Sequence, residues 1–221
     1  MAMNWKKLAA ELIGTFGFLW VGYMSIAAFH QPDVTAPGLL VVPFGFGLGL
    51  LMAIFCFGHI SGAHFNPAVT IAMALDKRIE IPEAVGYIVA QVIGAIGAAA
   101  LVMVTISQEV VAKGITAPQG GITDTSALII EAVGTLGFIL AILAVTKKAP
   151  QIAGLVIPFS LIAIHFGLAT ISGASVNPAR SIGSAVVGGD LSSIWIYIVG
   201  PVVGAVIAWV VWKVIANDEA A

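Results

Sequence analysis

The sequence predicts an all-α membrane protein with six transmembrane helices, two re-entrant half-helices and an inverted repeat of three helices plus three. Three observations support this prediction: an excess of apolar residues, six apolar stretches of membrane-spanning length, and a motif that occurs twice. Hydrophobic residues make up 60% of the 221 residues, charged residues make up 9%, and the mean hydropathy is +1.08. Soluble domains usually contain about 45–50% apolar and about 25% charged residues. A lipid environment therefore explains the composition better than water does.

The charge and cysteine content exclude several classes of function. The formal net charge is −2, which is too small to indicate a nucleic-acid partner. Cys56 is the single cysteine, so neither an internal disulfide nor a multi-cysteine metal site can form. The sequence also shows no nucleophile–base pair, metal-ligand cluster or phosphate-binding loop. We therefore expect no enzymatic activity, no metal and no cofactor.

Six apolar stretches are long enough to cross a bilayer, which requires about 20 residues. Glu11 lies inside the first stretch, which is longer than the apolar core of a usual signal peptide, so we interpret it as a retained helix. The predicted spans, with ends accurate to a few residues, are 8–29, 39–58, 84–106, 126–146, 151–170 and 192–212.

Basic residues indicate the orientation, because Lys and Arg accumulate in short cytoplasmic loops. Lys113 falls on the side opposite the N-terminus, and Arg180 lies within an apolar region. The other seven of the nine basic residues fall on the side of the N-terminus: Lys6, Lys7, Lys77, Arg78, Lys147, Lys148 and Lys213. Both termini are therefore predicted to be cytoplasmic, and the short loops and termini favour the plasma or inner membrane of the cell.

The two halves of the chain resemble each other in order and in residue type. We expect one channel domain over 1–221, with repeat one at about 1–115 and repeat two at about 120–221. Because each half holds three spans, the second half must be inverted in the membrane, and such repeats place a shared site near the midplane. The matched pairs include Glu11 with Glu131, Ser61 with Ser172, Asn66 with Asn177 and Tyr87 with Tyr197, at offsets of 120, 111, 111 and 110.

Each half contains a half-length helix that starts at an Asn-Pro-Ala motif. Asn is a preferred N-cap and Pro is favoured at the first helical position, so Asn66-Pro67-Ala68 and Asn177-Pro178-Ala179 are predicted helix starts. The apolar run after Pro67 has only about nine residues, half of a membrane span. By the inverted repeat, the two half-helices enter from opposite sides and their N-termini meet at the pore centre.

This arrangement of half-helices has electrostatic consequences for any molecule or ion at the pore centre. Each helix N-terminus carries roughly +0.5 of an elementary charge, and positive potential at the centre opposes cations, including protons. Non-helical backbone at membrane depth is tolerated where protein or a watery cavity satisfies it. The carbonyl groups of this backbone would line one wall of the pore with hydrogen-bond acceptors. Such a wall is suited to a single file of water. The backbone expected to line the pore belongs to Gly62, Ala63 and His64 and to Gly173, Ala174 and Ser175.

The doubled motif, the Ser-Gly-Ala before each copy and the arginine after the second resemble the aquaporin family, also called major intrinsic proteins. The resemblance covers essentially the whole chain and implies six tilted helices, two half-helices, a pore in every subunit and a homotetramer. It also implies a selectivity filter at four positions: Phe46, His165, Ala174 and Arg180. In this pattern the aromatic ring and the imidazole narrow the opening to about one water, and Arg180 and His165 donate hydrogen bonds to that water.

The resemblance is closer to the water-selective members. Glycerol-conducting members tend to have Gly at the position of His165 and Asp at the position of Ser181. Ala185 also fits the water-selective pattern, whereas Ile198 departs from it, because those members often have Trp there. The leading hypothesis is a passive water channel in a lipid bilayer, and the second is a channel for glycerol, ammonia or hydrogen peroxide.

A third hypothesis is a proton-coupled transporter, because Glu11 and Glu131 are ionisable residues inside predicted spans and transporters also use inverted repeats. Their matched positions favour a structural role instead. We expect both carboxylates to accept hydrogen bonds from backbone N–H groups of the re-entrant loops.

Overall fold

The computed structural model describes residues 4–30 and 38–216, and this part of the chain is helical, without a β-strand. The six long helices are α1 (Trp5–Phe29), α2 (Gly38–Ser61), α4 (Ile81–Thr105), α6 (Asp124–Lys148), α7 (Ala153–Leu168) and α9 (Ile194–Ala216). The shorter helices are α3 (Pro67–Leu75), α5 (Gln108–Lys113) and α8 (Pro178–Gly188), and a 3-10 turn at Pro150–Ile152 precedes α7.

Six helices of the described part are long and apolar enough to cross a membrane, which confirms the predicted number of spans. The fifth begins with the 3-10 turn, so that α7 itself starts two residues later than predicted. Helix α5 was not predicted. It lies in the connection between α4 and α6, where Ser107 caps it by accepting a hydrogen bond from the backbone N–H of Val110 at 3.2 Å.

The two half-helices begin where the sequence predicts. Asn66 and Asn177 have extended backbones, and the side-chain oxygen of each accepts a hydrogen bond from the backbone N–H two residues later. A proline follows each cap at the first helical position, where its missing N–H is not needed. At 1.5 Å per residue, helices of 9 and 11 residues span about 14 and 17 Å, roughly half of a hydrocarbon core.

The helices pack in two matching sets, one for each half of the chain. Helix α1 packs against α2 and α4, and α6 packs against α7 and α9 in the same relation. The half-helices cross between the sets: α3 packs against α9 of the second half, and α8 packs against α4 of the first half. Each half therefore completes the other, and the tips of both re-entrant loops meet inside the protein.

Close helix approach depends on glycines at matched positions of the two halves. A methyl group at Gly94 would overlap the carbonyl oxygen of Leu12, and one at Gly204 would overlap the carbonyl oxygen of Ala132. These contacts bring α4 onto α1 and α9 onto α6. Small residues allow such approach where lipid supplies no hydrophobic force between helices.

The two re-entrant loops have the same unusual backbone. Residues with φ between +44° and +89° are Gly62, Ala63 and Phe65 in the first loop and Gly173, Ala174 and Val176 in the second. Positive φ costs roughly 1–3 kcal/mol at a non-glycine residue, and a β-branched residue such as Val176 tolerates it poorly. The surrounding hydrogen bonds must therefore hold these loops in place.

Candidate functional site

The tips of the two re-entrant loops are joined by the side chains of Asn66 and Asn177. The Asn66 Nδ2 donates a hydrogen bond to the carbonyl oxygen of Val176 at 2.8 Å. The Asn177 Nδ2 donates to the carbonyl oxygen of Phe65 at 3.0 Å. Since each Oδ1 caps its own half-helix, both amides have one orientation only.

One hydrogen of each amide remains available beyond these bonds, because an amide nitrogen carries two. Asn66 and Asn177 both line a cavity at the centre of the molecule. The N-termini of α3 and α8 lie at the same place, so amide donors and two positive helix ends act on the same small volume. A polar, uncharged guest that accepts hydrogen bonds is favoured there, and a cation is not.

This inner cavity has a volume of about 30 Å³. A site needs at least about 10–15 Å³ on this measure to hold one water, so the cavity has room for roughly two or three. Ala63, His64 and Ser175 also line it, among apolar side chains that include Phe18, Leu50, Val69, Phe138 and Ile142. Few polar groups on an otherwise apolar wall permit a short file of waters.

A second cavity of about 400 Å³ lies outside the first, on the side opposite the N-terminus. Its wall includes His30, Lys113, Gly114 and Gly173. His165 and Arg180 line both cavities and therefore mark the passage between them. The site thus consists of a wide vestibule, a constriction and a narrow interior.

Three of the four filter residues expected from the sequence meet at this constriction. The rings of Phe46 and His165 are stacked with centroids 5.1 Å apart, and the Arg180 Cζ lies 5.1 Å from the Phe46 ring centroid. The Arg180 Nη1 donates to the carbonyl oxygen of Gly114 at 2.8 Å, while its buried Nε has no protein partner in the described part of the chain. One nitrogen of the guanidinium group is therefore fixed by the protein, and other N–H donors of the group remain available to a molecule in the passage.

The hydrogen-bonding role expected for His165 needs correction. Its Nδ1 lies 2.9 Å from the carbonyl oxygen of Leu161, and a carbonyl only accepts, so Nδ1 carries the hydrogen. The buried Nε2, which has no partner within the described residues, is then an acceptor in the neutral ring. The constriction therefore presents hydrogen-bond donors on Arg180 and an acceptor on His165.

The fourth expected filter residue, Ala174, is fully buried and lines neither cavity. Its neighbours Gly173 and Ser175 line the outer and the inner cavity respectively. Gly62 is exposed and also lies outside both cavities. The remaining motif residues are buried behind the asparagines without lining either cavity: Pro67, Ala68, Pro178 and Ala179.

Glu11 holds the first re-entrant loop. Its Oε1 accepts hydrogen bonds from Ser61 Oγ at 2.6 Å and from the His64 backbone N–H at 2.9 Å. Its Oε2 accepts from the Phe65 backbone N–H at 2.7 Å and from Gln91 Nε2 at 2.8 Å. Four donors therefore converge on one buried carboxylate and fix it between α1, α4 and the loop.

Glu131 holds the second loop in the same way with one bond fewer. Its Oε1 accepts from Ser172 Oγ at 2.7 Å and from the Ser175 backbone N–H at 3.0 Å. Its Oε2 accepts from the Val176 backbone N–H at 2.8 Å. No counterpart of Gln91 reaches this carboxylate, because Pro201 occupies the matched position.

Two tyrosines complete this support; the sequence matches them between the halves but assigns them no role. Tyr87 donates to the carbonyl oxygen of Ser61 at 2.8 Å, and Tyr197 donates to the carbonyl oxygen of Ser172 at 2.6 Å. Each tyrosine and its serine partner occupy matched positions in the two halves, so the repeat in the sequence already indicated these residues. A tyrosine kept at the same place in both halves of a duplicated chain indicates a hydroxyl with a partner.

On the side of the N-terminus, a polar cluster holds the C-terminal end of α3. Asp76 forms ion pairs with Lys213 at 2.8 Å and with Arg78 at 2.7 Å, and Arg78 also donates to Thr146 Oγ1 at 2.7 Å. Burial alone would raise the pKa of Asp76, but the hydrogen bonds and charges of Lys213 and Arg78 lower it overall. The cluster links the half-helix to α6 and α9.

In the described residues, no group of three His, Cys, Asp or Glu side chains is placed to bind a metal.

Comparison with known proteins finds relatives over nearly the whole chain. The family model described as "Major intrinsic protein" matches residues 1–212. Aquaporin-4 of Mus musculus is 38% identical over 215 residues, which cover 95% of this chain and 67% of that protein. The glycerol uptake facilitator protein-like 6 of Lactiplantibacillus plantarum is 39% identical over 225 residues, covering 97% and 100%.

A solved structure shows the same fold. The X-ray structure of the aquaglyceroporin from Plasmodium falciparum superposes with a TM-score of 0.86 and covers 94% of this chain and 95% of its own. The sequence identity is 22%, so this likeness concerns the fold alone.

Proposed function

Because the chain belongs to the major intrinsic protein family, whose members are membrane channels, we propose that it is a passive channel for water that excludes protons and ions. The observation that carries this proposal is the constriction of Phe46, His165 and Arg180 between a vestibule of about 400 Å³ and an interior of about 30 Å³. A donor and an acceptor on its walls match the hydrogen bonding of a single water.

The pore centre supports exclusion of protons. Asn66 and Asn177 each keep one amide hydrogen for the inner cavity, so a water there is favoured when its oxygen faces the asparagines. Its hydrogens then point toward the two exits, which interrupts a chain of identically oriented waters. The positive ends of α3 and α8 and the charge of Arg180 oppose hydronium and metal cations along the same path.

The main alternative is a channel for small neutral solutes such as glycerol, ammonia or hydrogen peroxide. The relative from Lactiplantibacillus plantarum is described as glycerol uptake facilitator protein-like, which keeps this possibility open. The side chains of Phe46 and His165 favour water, because their stacked rings occupy space that a three-carbon polyol needs. A proton-coupled transporter is less favoured, since both oxygens of Glu11 and of Glu131 already accept hydrogen bonds.

We further propose the membrane arrangement and assembly. Residues 1–221 form one channel domain in the plasma or inner membrane, and the distribution of basic residues favours both termini in the cytoplasm. The subunits form a homotetramer. Membership of the family over residues 1–212 supports this assembly.

Stopped-flow light scattering of proteoliposomes tests the function, with water, glycerol and proton fluxes measured separately. We expect fast water flux with a low activation energy, and glycerol and proton fluxes near those of protein-free vesicles. Arg180→Val is expected to admit glycerol or cations. Lys6→Val serves as the matched control, because it removes a positive charge from an exposed position outside both cavities. Water flux no faster than in protein-free vesicles would refute the proposal.

A further inference from the structure

The connection between α5 and α6 lies directly against the second re-entrant loop. The carbonyl oxygen of Gly114 accepts the hydrogen bond from Arg180, and the Gln119 backbone N–H donates to the carbonyl oxygen of Ile171 at 2.9 Å. Thr116 lies between these two contacts and is 3% exposed. A methyl group at Gly173 would come within 3.2 Å of the Thr116 Cα, so the two backbones are in close contact.

Three buried hydroxyl groups join this connection to the wall of the inner cavity. Thr116 Oγ1 lies 2.7 Å from Ser181 Oγ, which lies 2.6 Å from Ser175 Oγ. Ser175 Oγ in turn donates to the carbonyl oxygen of Asn177 at 2.9 Å. All three side chains are almost fully buried, and of the three only Ser175 lines the inner cavity.

The terminal carbonyl gives this chain a direction. A carbonyl only accepts, so the hydroxyl hydrogen of Ser175 points at Asn177. Ser181 must then donate to Ser175, and Thr116 must donate to Ser181. Ser175 Oγ also lies 3.3 Å from the Asn177 backbone N–H that donates to it, so its one hydrogen and both acceptor sites are used.

The first half of the chain contains the matching arrangement. His64 and Thr70 occupy the positions of Ser175 and Ser181, at an offset of 111, and His64 Nδ1 lies 3.1 Å from Thr70 Oγ1. Thr70 receives its second contact from Gln91 Nε2 at 2.9 Å. In the second half Pro201 stands at the position that matches Gln91, so no amide side chain is present at that position. Thr116 supplies the missing partner from a different part of the chain.

We propose that Thr116 and Ser181 are positioning residues for the Arg180 constriction, an inference that rests on the proposed function. Ser181 follows Arg180 on α8, and Thr116 lies two residues after Gly114. The hydrogen bond between the two hydroxyls therefore ties the segment that supplies the Gly114 carbonyl to the helix that supplies Arg180. Without it, the carbonyl can move from the guanidinium, and Arg180 can leave the orientation that narrows the passage.

Thr116→Val tests the proposal, because it keeps the shape of the side chain and removes the hydroxyl. We expect the ratio of glycerol to water permeability to rise by roughly two- to tenfold, the factor that one buried neutral hydrogen bond supplies. Ser181→Ala is expected to raise the ratio to a similar extent, and the double variant to add nothing further. Thr116→Ser retains the hydroxyl and should keep the original ratio.

Thr105→Val is the matched control, because it removes an exposed hydroxyl that bonds only within α4. A glycerol-to-water ratio in Thr116→Val equal to that of the unmodified protein overturns the inference. Independent, additive effects of Thr116→Val and Ser181→Ala also overturn it. Should Thr116→Val not reach the membrane folded, Ser181→Ala carries the first test alone, and a ratio equal to that of the unmodified protein then overturns the inference. Water flux through the unmodified protein is measured alongside, so failure of the proposed function is recognised separately.

Discussion

Replacing Glu11 or Glu131 by Gln should destabilise the protein to a similar extent. A glutamine keeps one acceptor oxygen and places an NH₂ group where the other oxygen was. At Glu11 an NH₂ group in the place of Oε1 can donate to the Ser61 hydroxyl, which can also accept, so that only the His64 backbone N–H loses its acceptor. At Glu131 the side chain can keep two of its three bonds, so that only the Val176 N–H loses its partner.

The size of the effect follows from these counts. A hydrogen bond to a charged group contributes about 1.5–3 kcal/mol. Each substitution should therefore cost about 1.5–3 kcal/mol. Both variants remove a fully buried charge, so the cost of burying that charge cancels in the comparison. The two variants should therefore differ by less than one such bond.

Unfolding of the purified protein by SDS in mixed micelles measures both values. Glu109→Gln is the matched control, because that carboxylate is 80% exposed and its pair with Lys113 is expected to contribute less than about 1 kcal/mol. A Glu11→Gln or Glu131→Gln variant that is as stable as Glu109→Gln would refute the reasoning. Water flux through the folded fraction of Glu11→Gln should persist, whereas a proton-coupled transporter would lose transport.

Three further predictions concern packing, pH and the constriction. Gly204→Ala should prevent proper folding, because the added methyl group would overlap backbone atoms of α6. Gly137→Ala has nothing within 4 Å of the added carbon, so it should be tolerated or should stabilise the protein by roughly 0.5–1 kcal/mol. The expression yield and thermal unfolding of the two variants test this prediction. The lowered pKa of Asp76 means that its stabilising contribution is complete above the pKa of the unfolded chain and is lost as the pH falls through the lower, folded value. Unfolding midpoints between neutral and acidic pH should therefore converge for the unmodified protein and Asp76→Asn, and parallel curves would contradict this. His165→Ala should raise glycerol permeability, since it removes a ring from the narrowest part of the passage, and unchanged glycerol flux in proteoliposomes would place the constriction elsewhere.

Local chemistry explains why so much of the fold could be predicted. Several features of the fold depend on residues that are close together in the sequence, so they can be recognised there. Examples are the length of an apolar stretch, the N-cap at Asn66 and the proline that follows it. The duplication added long-range information, because the pairing of Glu11 with Glu131 indicates equivalent places in the fold. Helix α5 escaped prediction because six residues are too few to show a periodic pattern.

The site was only partly predictable for the opposite reason. The tautomer of His165 depends on a carbonyl in its own helix, and the position of Ala174 depends on the positive φ of the loop. Neither feature changes the residue types in a recognisable way. The sequence therefore predicted which residues gather near the centre, but not which atoms of them face a guest.

A six-span inverted repeat with two half-helices can be predicted from the sequence, because apolar length, helix caps and the internal duplication are all visible in the order of the residues. How the two halves are joined depends on the tertiary packing. Asn66 bonds to the loop 110 residues later, and Thr116 meets Ser181, 65 residues away. Hydrogen bonds over such separations depend on the packing of α3 and α8 across the two halves. That packing brings the side chains within 3 Å of their partners, and no local pattern encodes it.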